Sequence, residues 1–200
     1  MSIFLTAENL ACARGGRALF AGLNFTVRGG QALAVEGANG AGKTSLLRMI
    51  AGFLSPAEGA LTVMLEAKTI TDAEERGRLI GWLGHQDGLK PQLGVMEQLR
   101  FHAGLYGVAA DAGVLDQVGL YRQRDLPCRY LSAGQKRRLA LARLVVSGRP
   151  LWLLDEPFAA LDAAGQALAT RLMADHCAGG GIVIAATHDP LNLGHESLTL

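Results

Sequence analysis

The sequence is poor in cysteine, in net charge and in long apolar runs. Its three cysteines, Cys12, Cys128 and Cys177, are scattered without a Cys-x-x-Cys pair, which predicts free thiols in a reducing compartment rather than a disulfide framework. A formal net charge of +1 argues against nucleic acid or an anionic lipid surface as a partner. The apolar runs fall short of the roughly 18 residues that a membrane helix needs, and the first residues lack the basic segment of a signal peptide. We therefore expect a soluble chain.

Half of the 200 residues are nevertheless hydrophobic, which suffices for one domain with a substantial core. Short apolar runs of strand length alternate with helical patterns, at residues 33–35, 61–65, 79–83, 151–154 and 182–186. This alternation predicts an α/β fold with a largely parallel sheet. The first thirty residues alternate in polarity around a Gly-Gly turn, which predicts an N-terminal antiparallel β subdomain.

The stretch from about residue 87 to residue 148 shows helical patterns and no convincing strand. We interpret it as a helical subdomain inserted into an α/β core made of about residues 1–86 and 149–200, the whole chain 1–200 being one domain. The basic residues Lys136, Arg137 and Arg138 fall in the last of these helices. A run of like charges is typically a solvated face, and we interpret it in that way.

The clearest chemical signal is GANGAGKT at residues 37–44, which fits the phosphate-binding pattern G-x-x-x-x-G-K-[ST] between a strand and a helix. Its glycines let backbone N–H groups turn toward phosphates at a helix N-terminus. Lys43 can reach the β- and γ-phosphates, and the Thr44 hydroxyl can bind Mg²⁺. The predicted nucleotide-binding residues of this P-loop are Gly37, Asn39, Gly40, Ala41, Gly42, Lys43, Thr44 and Ser45.

Four polar residues stand at the ends of other apolar strands, at the sheet edge where ligands of open α/β folds bind. Asp155 is predicted to hold Mg²⁺ through its hydration shell, and Glu156 to accept a proton from the attacking water. His188 can reach the γ-phosphate. The Gln86 amide can contact Mg²⁺ or the attacking water.

The order of the P-loop, Gln86, LSAGQ at 131–135, LLDEP at 153–157, AALD at 159–162 and His188 resembles the nucleotide-binding subunits of ABC transporters over essentially the whole chain. The LSAGQ segment is similar to the LSGGQ signature of that family. The resemblance implies a P-loop NTPase (RecA-like) core and an ATPase that binds ATP and Mg²⁺.

The resemblance further implies a head-to-tail homodimer with ATP between the two subunits. In it, Ser132 and Gly134 of one subunit close over the ATP in the P-loop of the other, and Asp162 lies at the same interface. Ala133 replaces one glycine of the signature, and we expect little functional loss from it. The family stacks adenine on an aromatic residue, for which Arg14 is the candidate here because a guanidinium plane can stack on a base.

Integral membrane subunits are also implied, one of whose helices docks beside Gln86. The apolar candidates for that groove are Leu89, Leu93, Val95, Leu99 and Phe101, which fit an internal core equally well. GHQDGLK at 84–90, LSAGQKRRLALARL at 131–144 and GGIVIAATHDPLN at 180–192 narrow the resemblance to the ATP-binding subunits of cytochrome c biogenesis transporters, the haem exporters. That subfamily implies a peripheral position on the cytoplasmic face of the bacterial inner membrane.

Other functions compete with this one. An ABC ATPase for another small-molecule cargo fits the same motifs, because the membrane subunits determine the cargo. A soluble ABC-type ATPase that acts on nucleic acid is opposed by the lack of a basic surplus and of coiled-coil insertions. A P-loop kinase should carry an Arg-rich lid rather than LSAGQ and His188. We interpret the remaining histidines as structural or surface residues rather than haem ligands, namely His85, His102, His176 and His195.

Overall fold

The computed structural model describes residues 2–200 and contains two β-sheets with helices around them. In chain order, the elements are β1 (Ile3–Arg14), β2 (Arg17–Arg28), β3 (Ala32–Glu36), α1 (Lys43–Ile50), β4 (Glu58–Leu65), β5 (Lys68–Ile70), α2 (Ala73–Gly77), β6 (Ile80–Leu83), α3 (Val95–Leu105), α4 (Gly113–Gln117), α5 (Ala133–Ser147), β7 (Leu151–Asp155), α6 (Ala163–Ala178), β8 (Ile182–Ala186) and β9 (His195–Thr199). This architecture confirms the predicted fold class.

The first sheet is antiparallel, with strand order β2-β1-β4-β5. The expectation that residues 61–65 belong to the parallel sheet is wrong, because β4 pairs antiparallel with β1, with Val63 opposite Leu5. The burial pattern explains the difference. Leu61 and Val63 are buried, whereas Met64 is exposed, so that only one face of the strand meets the core, as antiparallel sheets allow.

The second sheet is parallel and has the order β6-β7-β8-β3-β9. Alternate residues of its central strands point to opposite faces. Leu151 and Leu153 of β7 join the core that contains α1 and the antiparallel sheet. Trp152 and Leu154 join the core formed with α3, α5 and α6. Burial on both faces explains why the central strands read as unbroken apolar runs.

The edge strand β9 was not predicted from the sequence. It pairs only with β3 in register with Ala32 to Glu36, and its residues HESLT are mostly exposed. A short exposed edge strand needs no apolar pattern, so the sequence carries little signal for it.

The chain between β6 and β7 is helical, and α3 and α4 pack against α5. Helix α5 also contacts β6 and α6, so it joins this helical region to the sheet. Among residues 2–200, no helix is long and apolar enough to cross a membrane. All three cysteines are buried free thiols, as the sequence predicts, and burial raises the pKa of Cys128 and of Cys177.

The C-terminal end of α1 is held by Arg76 of α2, whose side chain is buried. Its guanidinium donates to the carbonyl oxygens of Met49 (3.3 Å), Ile50 (2.8 Å) and Thr71 (3.1 Å). The last carbonyls of a helix have no partner within the helix and carry a partial negative charge. Burial lowers the pKa of Arg76, and the Asp72 carboxylate opposes that shift. Arg76 therefore stabilises the far end of the helix that follows the P-loop.

Replacing Arg76 with alanine should lower the free energy of unfolding by about 2 to 4 kcal/mol, because buried carbonyls lose their donor. The matched control is Arg78→Ala. Arg78 pairs with Glu74 on the surface, with both side chains largely exposed, so its loss should cost less than about 1 kcal/mol. Urea unfolding followed by circular dichroism measures both values. Equal losses would contradict the role of Arg76.

Candidate functional site

A cleft of about 1040 Å³ opens at the carboxyl end of the parallel sheet. Ligand sites in proteins span roughly 300 to 1,000 Å³, so this cleft can hold a nucleotide. Most of the predicted site residues line it, namely Arg14, Asn39, Gly40, Gly42, Lys43, Thr44, Ser45, Gln86, Asp155, Glu156 and His188. The sequence analysis missed five further lining residues, which are Leu19, Arg48, Trp82, Gly84 and His85. The cleft thus includes His85, which we had assigned a structural or surface role.

The P-loop forms one wall of the cleft and runs directly into α1. Gly37 and Gly42 have φ angles of 140° and 113°, which disfavour any residue with a side chain. Space is also short, since a Cβ atom would lie 2.9 Å from the Leu200 carbonyl oxygen at Gly37 and 3.0 Å from the Phe20 ring at Gly42. The glycines therefore let the loop curl tightly over the N-terminus of α1, the end of a helix that binds anions.

Lys43 is buried, and its ammonium group is held by the loop itself. The Nζ atom donates to the Gly37 carbonyl oxygen at 2.8 Å and lies 3.1 Å from His188 Nε2. These contacts compensate the cost of burying a charge. A phosphate oxygen in the cleft would offer the ammonium a charged and therefore stronger acceptor.

Oxygen ligands for a metal ion meet at the first turn of α1. The Thr44 hydroxyl donates to the Asp155 carboxylate, with distances of 3.1 and 3.2 Å to its two oxygens. Gln86 lines the same cleft. Mg²⁺ prefers such oxygen donors and completes its shell with water and substrate phosphates, so this donor set fits the ion. Within residues 2–200, no group of three or more His, Cys, Asp or Glu side chains is placed to hold a metal ion.

Glu156 begins the loop after β7 in a left-handed conformation, with a φ of 51°. Its N–H donates to the Ala186 carbonyl oxygen at 2.8 Å, which ties the loop to β8. Its carboxylate lies 3.6 Å from His188 Nε2, and the same nitrogen is 3.0 Å from Asn39 Oδ1. A carboxylate and an imidazole therefore face each other beside the P-loop, where the carboxylate can accept a proton from a water bound in the cleft.

Five predicted residues do not line this cleft. Gly37 and Ala41 belong to the P-loop itself, and the other three lie at the starts of two helices. Ser132 caps α5, where its hydroxyl accepts from the Gln135 N–H at 3.2 Å. Asp162 caps α6, where its carboxylate accepts from the Gly165 N–H at 2.8 Å. Gly134 lies in the first turn of α5. The chain thus presents two capped helix N-termini outside its own cleft.

The interpretation of the Lys-Arg-Arg run as a solvated face is wrong for Arg137. Its side chain is only 2% exposed, and it contacts both Gly84 and Asp155. The available signal was periodicity: Arg137 lies on the same helix face as Leu141 and Leu144, at spacings of four and seven residues. An arginine in that stripe points toward the core.

Two of the remaining histidines are packed within the fold. Burial, together with the charges of Arg143 and Lys90, lowers the pKa of His102 to about 4. His176 stacks on Trp152 with ring centroids 4.0 Å apart, and burial lowers its pKa. Burial thus favours the neutral form of both rings, and their contacts agree with a structural role.

Comparison with known proteins places these features in one family. The family model described as ABC transporter matches residues 20–159. The cytochrome c biogenesis ATP-binding export protein CcmA of Rhodopseudomonas palustris (strain BisB5) is 50% identical over 99% of this chain and 98% of its own. The CcmA protein of Mesorhizobium japonicum is 52% identical over 98% and 97%. An ATP-binding protein of Pyrococcus furiosus shares the fold, with a TM-score of 0.85 at 22% identity over 98% of this chain and 97% of its own.

Replacing Thr44 with valine keeps the shape of the side chain and removes its hydroxyl. We expect the affinity for ATP in the presence of Mg²⁺ to fall about tenfold, which corresponds to roughly 1.4 kcal/mol, and the affinity for ATP in EDTA to stay unchanged. Titration of a fluorescent ATP analogue under both conditions tests this. Thr170→Val is the control, because Thr170 lies on α6 and its hydroxyl donates to the Leu191 carbonyl oxygen, outside the cleft. An equal loss of ATP affinity with and without Mg²⁺ would show that Thr44 does not coordinate the ion.

Proposed function

The chain belongs to the ABC transporter family of ATP-binding proteins, and we propose that it energises a transporter of cytochrome c biogenesis. Family membership makes it an ATP-binding enzyme that hydrolyses ATP. The observation that carries the narrower proposal is the 50% identity over 99% of the chain to an ATP-binding export protein of that process. The cargo that we propose is haem.

We assign the hydrolytic roles from the geometry of the cleft. Lys43 and the P-loop N–H groups bind the phosphates. Thr44, Asp155 and Gln86 would hold Mg²⁺, which would supply neutralisation of phosphate charge. Glu156 accepts the proton of the attacking water, a role that typically contributes about 10² to 10⁴-fold in rate.

His188 and Arg14 bind the two ends of the nucleotide in this proposal. The His188 imidazole, within 3.6 Å of Glu156 and 3.1 Å of Lys43, contacts the γ-phosphate. Arg14 stands at the end of β1 and lines the cleft together with Leu19. Its exposed guanidinium plane can stack on the adenine ring, and the Leu19 side chain offers the ring an apolar neighbour.

We propose that two copies of the chain pack head to tail with ATP between them. Ser132 is exposed at the N-terminus of α5, where the helix offers partial positive charge to a phosphate. It lies outside the cleft of its own chain, so the phosphate that it binds would belong to the partner. Asp162 lies at the same interface. A two-fold axis would create two equivalent composite sites.

An integral membrane subunit would dock on the helical region beside Gln86. The groove proposed from sequence is wrong for Val95 and Leu99, which are fully buried in the core. Phe101 of the predicted set is exposed, and so are Leu105 and Val108, which follow it in the chain. Exposed apolar clusters are typical of interaction surfaces. Docking there would hold the chain peripherally at the cytoplasmic face of the inner membrane.

The shared site can be tested by mixing two inactive variants, Ser132→Arg and Lys43→Ala. Each heterodimer would retain one intact composite site, so a one-to-one mixture should recover about a quarter of the wild-type ATPase rate if the chains pair at random. The measurement is steady-state phosphate release.

The matched control mixes Lys43→Ala with Glu156→Gln. Lys43 and Glu156 line the same cleft of one chain, so this heterodimer has no intact site and should stay inactive. If Ser132→Arg and Lys43→Ala chains are proven to form heterodimers and the ATPase rate still does not recover, that result would argue against sharing of the signature between chains.

In cells, Lys43→Ala should abolish the maturation of c-type cytochromes while b-type cytochromes still form. Without the ammonium group ATP binds weakly, so no work reaches the membrane subunits, whereas haem synthesis lies upstream. A haem stain of the membrane fraction and a spectrum for haem b measure both outcomes. The control is Lys68→Ala, since Lys68 pairs with Glu75 at the surface. Normal c-type cytochromes in a strain whose purified variant lacks ATPase activity would refute the haem assignment.

A further inference from the structure

Arg137 joins three segments of the catalytic edge through one buried side chain. It lies five residues after Ser132 on α5, and its guanidinium makes five hydrogen bonds. The Nη1 atom donates to the Gly84 carbonyl oxygen at 2.8 Å and to Asp87 Oδ1 at 3.0 Å. The Nη2 and Nε atoms donate to three consecutive carbonyl oxygens, those of Asp155 (2.7 Å), Glu156 and Pro157 (3.3 Å).

A guanidinium with 2% exposure is costly unless every donor finds an acceptor. Here a single carboxylate, that of Asp87, contacts the charge, and backbone carbonyls supply the remaining acceptors. Carbonyls fix the directions of the bonds as well as their number. The planar fork of an arginine can satisfy such a fixed set, whereas the single ammonium of a lysine cannot.

The carbonyl acceptors include the backbone of the residue that acts as the base. Glu156 holds a left-handed φ of 51°, a conformation that is strained in a residue with a side chain and persists only when its surroundings impose it. Arg137 donates hydrogen bonds to the carbonyl oxygens of Glu156 and of both its neighbours. The N–H of Glu156 is held from the other side by Ala186. Together these contacts determine where the carboxylate points.

The Nη1 atom of Arg137 holds the loop that contains Gln86. Gly84 and Asp87 flank this residue, and both accept hydrogen bonds from the same Nη1 atom. The side chain of Gln86 enters the cleft from a loop that is thereby fastened at both ends. One guanidinium plane thus spans the base segment and the glutamine segment.

We propose that Arg137 is a positioning residue for hydrolysis, which sets the placement of Glu156 relative to Gln86 without contacting the nucleotide. It does not line the cleft, so its effect passes through these two residues. The inference rests on the proposed ATPase mechanism. A displacement of about 1 Å in a catalytic group can cost about 10²-fold in rate, which sets the size of the expected effect.

The test compares Arg137→Gln with Arg138→Gln in the purified full-length chain. Arg138 follows on the same helix, and its guanidinium donates to the Val118 carbonyl oxygen at 3.1 Å, away from the cleft. For Arg137→Gln we expect kcat to fall about 30- to 100-fold while the Kd for ATP with Mg²⁺ stays within about threefold. Arg138→Gln should keep kcat within about twofold of wild type. Rates are normalised to the folded fraction from urea unfolding.

A double-mutant cycle with Glu156→Gln separates positioning from a general structural effect. If Arg137 acts through Glu156, adding Arg137→Gln to the Glu156→Gln chain should lower its residual single-turnover rate less than about threefold. A full multiplicative loss would overturn the proposal, as would an unchanged kcat in folded Arg137→Gln. So would a Kd that rises in proportion to the fall in kcat.

Should Arg137→Gln fail to fold, Asp87→Asn replaces it in the same experiment. This variant leaves Arg137 in place and removes the one carboxylate that orients it, so kcat should fall about three- to tenfold, and an unchanged kcat overturns the proposal. The wild-type chain and Lys43→Ala are measured alongside. A wild-type chain without ATPase activity would refute the proposed function, whereas an active wild type with an equally active Arg137→Gln refutes only the role of Arg137.

Discussion

The in-register ends of the parallel strands are the constraint on which the whole site depends. Leu83 of β6 pairs with Leu154 of β7, and Asp155 pairs with Ala186 of β8, which in turn pairs with Val35 of β3. The four strands therefore end at nearly the same level. Each strand is followed there by a loop, and each loop contains at least one of the predicted site residues. Residues that are far apart in the chain become neighbours here, because the hydrogen bonds of the sheet fix the register of the strands and therefore the level at which each strand ends.

Buried cations hold backbone segments together at both ends of α1 and at the catalytic edge, although the net charge of the chain is only +1. Lys43, Arg76 and Arg137 are all buried, and each donates to backbone carbonyl oxygens. Carbonyls at the ends of helices and strands lack partners in regular structure, so a cation that binds them satisfies both groups. Lys43 differs from the two arginines because its acceptors can be exchanged for phosphate. The two arginines stay bound to backbone carbonyls, whereas the Lys43 ammonium can exchange its carbonyl acceptor for a phosphate oxygen of the ligand.

The nucleotide cleft was largely predictable from sequence because its parts are local. The P-loop combines glycines, a lysine and a threonine within eight residues, and Asp155 and Glu156 follow an unmistakable buried strand. The helical spacing of Arg137 to Leu141 and Leu144 indicates an inward position, but its hydrogen-bond partners were not predictable, since they are carbonyls of segments near residues 84 and 155. The exposure of apolar residues in α3 also depends on tertiary packing. Val95 and Leu99 point inward, a distinction that composition alone does not make.

The packing around α5 explains which glycine of the signature can be exchanged for alanine. Ala133 is the first residue of α5 and is exposed, so its methyl group meets solvent in a helical position that alanine favours. At Gly134 a Cβ atom would lie 2.9 Å from the carbonyl oxygen of Ala160, which is too close for any side chain. Ala160 belongs to the AALD segment and itself has a left-handed φ of 62°. The signature and the segment that leads to Asp162 are therefore fitted to each other within one chain.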